Sequence, residues 1–408
     1  MGKKKLIIGC FSVLAAVMLG LVINGLYDAG QASPKKEYIR IGKRVIVLGD
    51  DGDSTVGHRR STNAQGKGRL NASAAPGVQS NLGNSSGLEA PVDGVRTITV
   101  AYTCIGEKLL FENIFPAFRK YWLEKTGEQV GFLAGYALPD FDKVATSVNG
   151  VPVQVLLMTS ASNPVTRGFS ETKWKLTANK GIVYYYPVVF LVRKGNPKKI
   201  NTYADLTTPG IEVIQVNPIR GTGAGLWQVY GIYGSALKEL EVTQGNKDRK
   251  LAMERLRQVE ENAFYGVTLQ PKATQLFLDG AGDVIVQSEF GALKTLQRDD
   301  SVELVIPPYT IISDMTVFKM ERNISSEDQE LVDQFIDFLF SEEAQEYVAS
   351  NDFRPSDPVV LANHPEFKPI ENPFHIDYLG EATKLKKDIV LGKWLQINNT
   401  RKNNVVAE

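Results

Sequence analysis

The sequence predicts an α/β fold in two lobes, built on mixed, mainly parallel sheets and preceded by a transmembrane helix and a flexible tether. Three observations lead there. The chain has 408 residues, more than one compact core usually holds. From about residue 97 to residue 340, short apolar runs alternate with segments of helical period, the pattern of strands joined by helical crossovers. An apolar stretch over residues 6–26, interrupted only by Asn24, follows Lys3, Lys4 and Lys5 and is long enough to cross a bilayer as a helix.

Composition excludes several function classes. Hydrophobic residues make up 43% and charged residues 23%, ordinary globular usage that rules out a wholly disordered chain. Lys+Arg and Asp+Glu each total 46, for a formal net charge of zero. A nucleic-acid binder needs a basic surplus to displace phosphate counterions, so that class is excluded. Cys10 and Cys104 are the only cysteines, too few for a disulfide framework or a thiolate zinc cluster. Three histidines (His58, His364, His375) leave little for metal or acid/base chemistry. No HExxH and no CxxC occurs, and His364 and His375 lie in a Pro-rich C-terminal stretch without a Ser-centred elbow as partner. Binding, without a cofactor or metal, is expected rather than catalysis.

Residues 1–28 read as a membrane anchor, its lysines holding the N-terminus in the cytoplasm. The alternative is a cleaved leader, with Gly30-Gln31-Ala32 supplying small residues before Ser33. Both place the remainder outside the cytoplasm. Residues 29–95 shift to Gly, Ser, Asn and Ala, too little apolar surface to offset ordering entropy, and read as a tether. Within it, residues 38–41 and 45–48 suit a small hairpin.

The first lobe begins with a buried strand, TITVAY, at residues 97–102. A helix over 107–126 carries Leu110, Ile114, Phe118 and Trp122 on one face, with Pro116 bending it and Gly127 closing it. A strand over 130–133, a helix over 141–148 and an apolar strand over 153–158 follow. In the second half, strands are expected at 188–192, 212–216 and 283–287, and helices at 224–237, 248–262 and 290–298. A last helix, 327–340, opens with Ser326 and Gln329 at capping-box spacing. The division is lobe 1 at 96–187 and 311–356, lobe 2 at 188–310, and a C-terminal extension at 357–408.

Four donor-rich turns sit at expected strand ends, where ligands of α/β folds bind. The most informative runs Asn217-Pro218-Ile219-Arg220-Gly221-Thr222-Gly223-Ala224-Gly225 between a strand and a helix. Its glycines admit close backbone approach, and the first free N–H groups of the helix favour an anion. Thr222 adds a hydroxyl and Arg220 a forked cation. A tight turn without ligand explains the same residues. The others are Gln270-Pro271-Lys272-Ala273-Thr274, Ser288-Glu289, and Tyr102 to Glu107. Tyr184-Tyr185-Tyr186 and Trp122, Trp174, Trp227 and Trp394 read as packing residues.

From about residue 98 to residue 355 the chain resembles the sulfate/thiosulfate-binding branch of periplasmic (type II) solute-binding proteins of ABC importers. The segments that carry the likeness are FPAFRKYWLEKTGEQV, VVFLVRKGNPKKINTYADLTTPGIEVIQVNP and FLFSEEAQEYVASNDFRPSD. The resemblance implies a hinged clamshell that closes on a small oxyanion held by N–H groups and hydroxyls, with an ABC permease as partner. Carried over by position, it puts ligand contacts at Thr103, Thr222, Gly223, Ala224, Ala273 and Ser288. Gly135 stands in the turn 133–139, where Tyr136 and Pro139 replace the hydroxyls of the family pattern. Arg220 is an added charge partner outside that pattern. Sulfate carries no proton near neutral pH and needs donors only; hydrogen phosphate needs an acceptor too, for which Glu289 stands nearest. The other reading is a membrane-tethered sensor or scaffold domain with a changed or lost ligand.

Overall fold

The computed structural model describes residues 37–41, 44–48, 54–56, 94–102, 106–136, 147–159, 175–176, 181–219 and 223–399. The expected anchor, most of the tether, Thr103, Arg220, Thr222, Pro139 and Trp174 lie outside them. The chain divides into two compact units, Met1–Gly66 and Lys67–Glu408. In the first, β1 (Glu37–Ile41), β2 (Arg44–Leu48) and β3 (Ser54–Val56) form an antiparallel sheet, with Ile41 opposite Arg44. Among the described residues no helix is long and apolar enough to cross a membrane.

The second unit opens with β4 (Arg96–Tyr102). A helix follows, but Pro116 does not simply bend it. A π-helical turn, Leu109–Ile114, precedes α1 (Phe115–Thr126), and the Phe115 N–H reaches back to the Leu110 carbonyl. Proline has no N–H to offer and its ring crowds the carbonyl four residues back; a wider turn relieves both. Leu110, Ile114, Phe118 and Trp122 are all buried. Gly127 ends the helix at φ 77°, its N–H on the Leu123 carbonyl at 2.8 Å, a left-handed position that suits glycine.

The strand after α1, β5, runs Val130–Tyr136, longer than expected. The expected helix 141–148 is corrected at its end: β6 (Ser147–Val148) pairs with β7 (Val151–Pro152). Asn149 and Gly150 sit at φ 51° and 82°, the geometry of a two-residue hairpin turn. Next come β8 (Val155–Thr159), β9 (Lys175–Leu176) and the long β10 (Ile182–Arg193). β4 lies parallel to β5 and β8.

The second lobe contains β11 (Val213–Val216), α2 (Gly223–Gln244), α3 (Arg249–Asn262), β12 (Ala263–Val267), α4 (Gln270–Leu278), β13 (Val284–Ser288), α5 (Glu289–Leu296) and β14 (Val302–Val305). Asp248 caps α3 by accepting from the N–H groups of Lys250 and Leu251, satisfying two orphan donors. β11 runs parallel to both β12 and β13. The chain then returns along β15 (Tyr309–Lys319), a strand the sequence pattern does not announce, into α6 (Gln329–Phe338) and α7 (Glu342–Ser350). The Ser326–Gln329 capping box does not form. Ser325 Oγ instead accepts from the Asp328 N–H at 3.2 Å, and Gln329 Nε2 donates to the Ile324 carbonyl.

Both lobes share one continuous ribbon, in the order β12-β11-β13-β10-β15-β8-β4-β5. The first half of β10, through Pro187, pairs with β15. From Val188 onward β10 pairs with β13, and further along with β14. Pro187 stands at the exchange of partners, where a residue without an N–H is tolerated. The lobe-1 core joins Ile98, Val100 and Phe132 of the sheet to Phe118, Phe335 and Val348 of the helices, with Phe118 and Phe335 edge-to-face at 5.1 Å.

The last segments are β16 (Arg354–Pro355), α8 (Pro358–Ala362), β17 (Asn372–Phe374), α9 (Ile376–Leu379) and α10 (Ala382–Leu385), with a π-helical stretch Lys386–Trp394. β17 adds to β15 in parallel. Phe374, Leu379, Val390 and Trp394 enter the lobe-2 core beside Trp227, Tyr230 and Tyr233. A sequence extension thus supplies core to lobe 2.

Two predictions follow from this packing. A methyl group on Gly234 of α2 would stand 2.4 Å from the Phe374 ring, so Gly234→Ala should cost about 1–3 kcal/mol in chemical denaturation. His364 joins Glu346 of α7 and Glu366 through its two ring nitrogens, each at 2.9 Å. These carboxylates raise its pKa above the ordinary 6.5. The raised value means the stabilisation is complete below the unfolded pKa and disappears as pH climbs through the folded one. His364→Gln should therefore lower the thermal midpoint more at about pH 5.5 than at about pH 8.5.

Candidate functional site

The register of the ribbon decides where strand ends meet. In lobe 1, Tyr102 at the end of β4 aligns with Leu157 of β8, and Thr159 at the end of β8 faces Met315 of β15. In lobe 2, Ser288 at the end of β13 faces Val188 of β10, and Val216 of β11 aligns with Val267 of β12. The C-terminal ends of β4 and β8 therefore advance on the partner exchange at Pro187 and Val188 from one side. Those of β11, β12 and β13 advance on it from the other. The helices that follow β11, β12 and β13 open there, with orphan N–H groups at their starts.

Each start has its own local cause. Gly106 precedes the first helix at φ 100°, and a side chain there would meet the Tyr184 hydroxyl at 2.5 Å. The hydroxyl of Tyr102 donates to Glu107; burial, with the charge and hydrogen bond of Glu107, pushes that phenol up to about 12. At α2, Gly225 backs onto Val216 and Pro218, whose atoms lie 2.7 Å from any added Cβ. Gly223 faces open space and is exposed, and Ala224 is half-buried. Of these two glycines of the loop, one serves packing and one is accessible.

Gly135 and Ala273 do not stand as open donors in a turn. Gly135 lies inside β5, opposite Ala101, where a side chain would strike Val148 at 2.8 Å; its lack of a Cβ serves the packing of β6. Ala273 is fully buried, and its N–H is already given to the Leu269 carbonyl at 3.1 Å. The first turn of α4 leaves the N–H groups of Gln270 and Lys272 without an intrahelical acceptor, Pro271 having none to offer. Ser288 precedes α5 in extended conformation, and its hydroxyl makes no capping bond.

Glu289 cannot act as an open acceptor. Its carboxylate is fully buried and held by Arg354 of β16 through two bonds, at 2.6 and 2.7 Å. Burial pushes its pKa up, and the guanidinium works against that. Arg354 also donates to the Lys368 carbonyl at 2.7 Å. The sequence alone does not reveal this partner, because 65 residues separate the pair. Asp314, at the crossover, accepts from His375 Nδ1 at 2.8 Å. No group of His, Cys, Asp and Glu suited to a metal occurs among the described residues. An apolar void of about 10 Å³ lies in the lobe-1 core among Tyr102, Leu110, Leu157, Tyr184 and Met315.

The model of the family described as bacterial extracellular solute-binding protein matches residues 117–354, more than half of the chain. The chain belongs to that family. As a solute-binding protein it is a receptor rather than an enzyme. It is 30% identical to the sulfate-binding protein of Escherichia coli over 304 residues, covering 72% of this chain and 89% of the relative. It is 26% identical to a thiosulfate-binding protein of Pseudomonas aeruginosa, over 62% of this chain and 76% of the relative. The solved sulfate-binding protein SubI of Mycobacterium tuberculosis superposes with a TM-score of 0.52 at 26% identity, covering 72% of this chain and 99% of that one.

The buried pair gives a stability prediction. Glu289→Gln or Arg354→Gln alone leaves an uncompensated buried charge and should cost about 3–5 kcal/mol in denaturant unfolding. The double variant should cost clearly less than the sum, since it removes both charges together.

Proposed function

We propose that the chain is an extracytoplasmic receptor that captures a small oxyanion, sulfate or thiosulfate in kind, and hands it to an ABC permease. The observation that carries this is the convergence of strand ends and helix starts of both lobes on the exchange at Pro187 and Val188. Such starts present N–H groups and a partial positive charge without a formal countercharge. The donors are the first turn of α2 at Gly223 and Ala224, with Thr222 and Arg220 before it, the first turn of α4, Ser288, and Thr103 after β4. Glu289, tied to Arg354, offers no acceptor for the proton of hydrogen phosphate, so the site prefers fully deprotonated anions. Residues 6–26 anchor the receptor in the membrane, and the tether gives the lobes reach.

Calorimetry of the purified chain tests this with sulfate, thiosulfate, molybdate, tungstate and phosphate. Sulfate or thiosulfate should bind with Kd of about 10 μM or tighter, equivalent to roughly 7 kcal/mol or more, and phosphate at least about tenfold more weakly. Absence of heat and of a thermal shift with every anion would leave a tethered sensor or scaffold as the better reading.

A further inference from the structure

The lobe-2 side of the cleft rests on a chain of side-chain amides with a defined direction. The N–H of Val216, the last residue of β11, donates to Gln228 Oε1 at 2.7 Å. Gln228 Nε2 donates to the Val286 carbonyl of β13 at 2.5 Å and to Gln270 Oε1, in the first residue of α4, at 3.0 Å. Gln270 Nε2 in turn lies 3.4 Å from Gln287 Oε1, which also accepts from the Thr274 hydroxyl at 3.1 Å. Backbone groups with fixed roles orient Gln228: a peptide N–H can only donate and a peptide carbonyl can only accept. Every later amide inherits that orientation. The chain therefore ends in a donor, Gln287 Nε2, which is buried and has no partner among the described residues.

Its location gives the chain a task. Gln228 bridges β11 and β13 where their C-terminal ends separate, and these neighbours continue into different helices. In open α/β sheets that gap is the ligand crevice. Gln270 opens α4. Gln287 Oε1 and Ser288 Oγ lie 3.4 and 3.2 Å from the Cβ position of Gly291, so the last amide sits under the first turn of α5. One polarised chain thus touches the first turns of α4 and α5 and ties both to α2.

We propose that Gln228, Gln270 and Gln287 form an amide relay that fixes the starts of α2, α4 and α5 relative to one another and supplies Gln287 Nε2 as a further donor towards the bound solute. Gln228 and Gln270 are positioning residues in this scheme. The inference rests on the oxyanion reading and adds a specificity element to that site. Neutral amides suit it, because a carboxylate at any of the three positions would repel the anion, whereas a linked amide chain polarises its terminal N–H.

The test uses the full chain and sulfate, with thiosulfate as a second probe. Gln270→Met cuts the relay while leaving both backbone bonds of Gln228 intact. It should raise Kd about tenfold through faster dissociation, with little change in unfolding midpoint. Hydrogen exchange should quicken at the first turns of α4 and α5 but not in α6. Gln287→Met should weaken binding to a similar degree. In affinity, the Gln228→Met/Gln270→Met pair should do no worse than Gln228→Met alone, since both break one chain. Should Gln228→Met fail to fold, Gln270→Met and Gln287→Met still decide the matter. Wild-type affinity in those two variants would overturn the relay and leave the receptor reading untouched. A wild-type chain that binds neither anion would overturn the receptor reading, and the relay's role in solute binding with it.

Discussion

The structure depends on two long strands that each belong to both lobes. β10 gives its first half to lobe 1 and its second half to lobe 2, and β15 returns the other way beside it. Because the strand ends of the two lobes approach this pair from opposite directions, they must face one another. The helices that follow the lobe-2 strands then open at the gap with first-turn N–H groups that have no intrahelical acceptor. A receptor built this way needs no surplus of positive charge, which agrees with a chain whose basic and acidic residues balance at 46 each. One carboxylate near the gap is neutralised internally: Glu289 of lobe 2 is clasped by Arg354 beside lobe 1, out of contact with solvent. Such a pair adds little net stability, because the cost of desolvating both charges offsets their attraction.

Much of the fold was legible because its elements carry strong local signals. The face Leu110, Ile114, Phe118, Trp122 repeats every four residues and is wholly buried, and Asp248, the first residue of the expected helix 248–262, caps α3. β15 escaped because the pattern of a crossing strand is unusual. Thr310, Ser313, Asp314 and Thr316 interrupt its apolar residues, yet all four are buried, since both faces of a shared strand are covered. The turn at Asn149-Gly150 escaped for the opposite reason: two strands of two residues each are too short to show alternation. The core role of the C-terminal segment rests on contacts such as Gly234 with Phe374, which link distant parts of the chain and leave no local trace.

The candidate site was legible at the level of turns rather than of atoms. The loop before α2 declares itself through glycine and a hydroxyl, and Ser288 through its place at a strand end. Which N–H groups are open depends on helix register to a single residue: Ala273 donates within its own helix, whereas Lys272 does not. Gly135 looked like a loop residue because β5 runs three residues further than its apolar run suggested. Glutamines 228, 270 and 287 drew no notice as a group, being neutral, scattered over 60 residues and ordinary in helices and strands. Only the register of β11 against β13 brings them together.

The most direct measurement is a crystal structure of the chain grown with sulfate. One anion should sit in the gap beside Pro187 and Val188, with oxygens about 2.7–3.2 Å from N–H groups at the starts of α2 and α4 and from Ser288 or Gln287. An anion seated elsewhere, or a gap filled by apolar side chains with the helix starts turned away from it, would contradict the account.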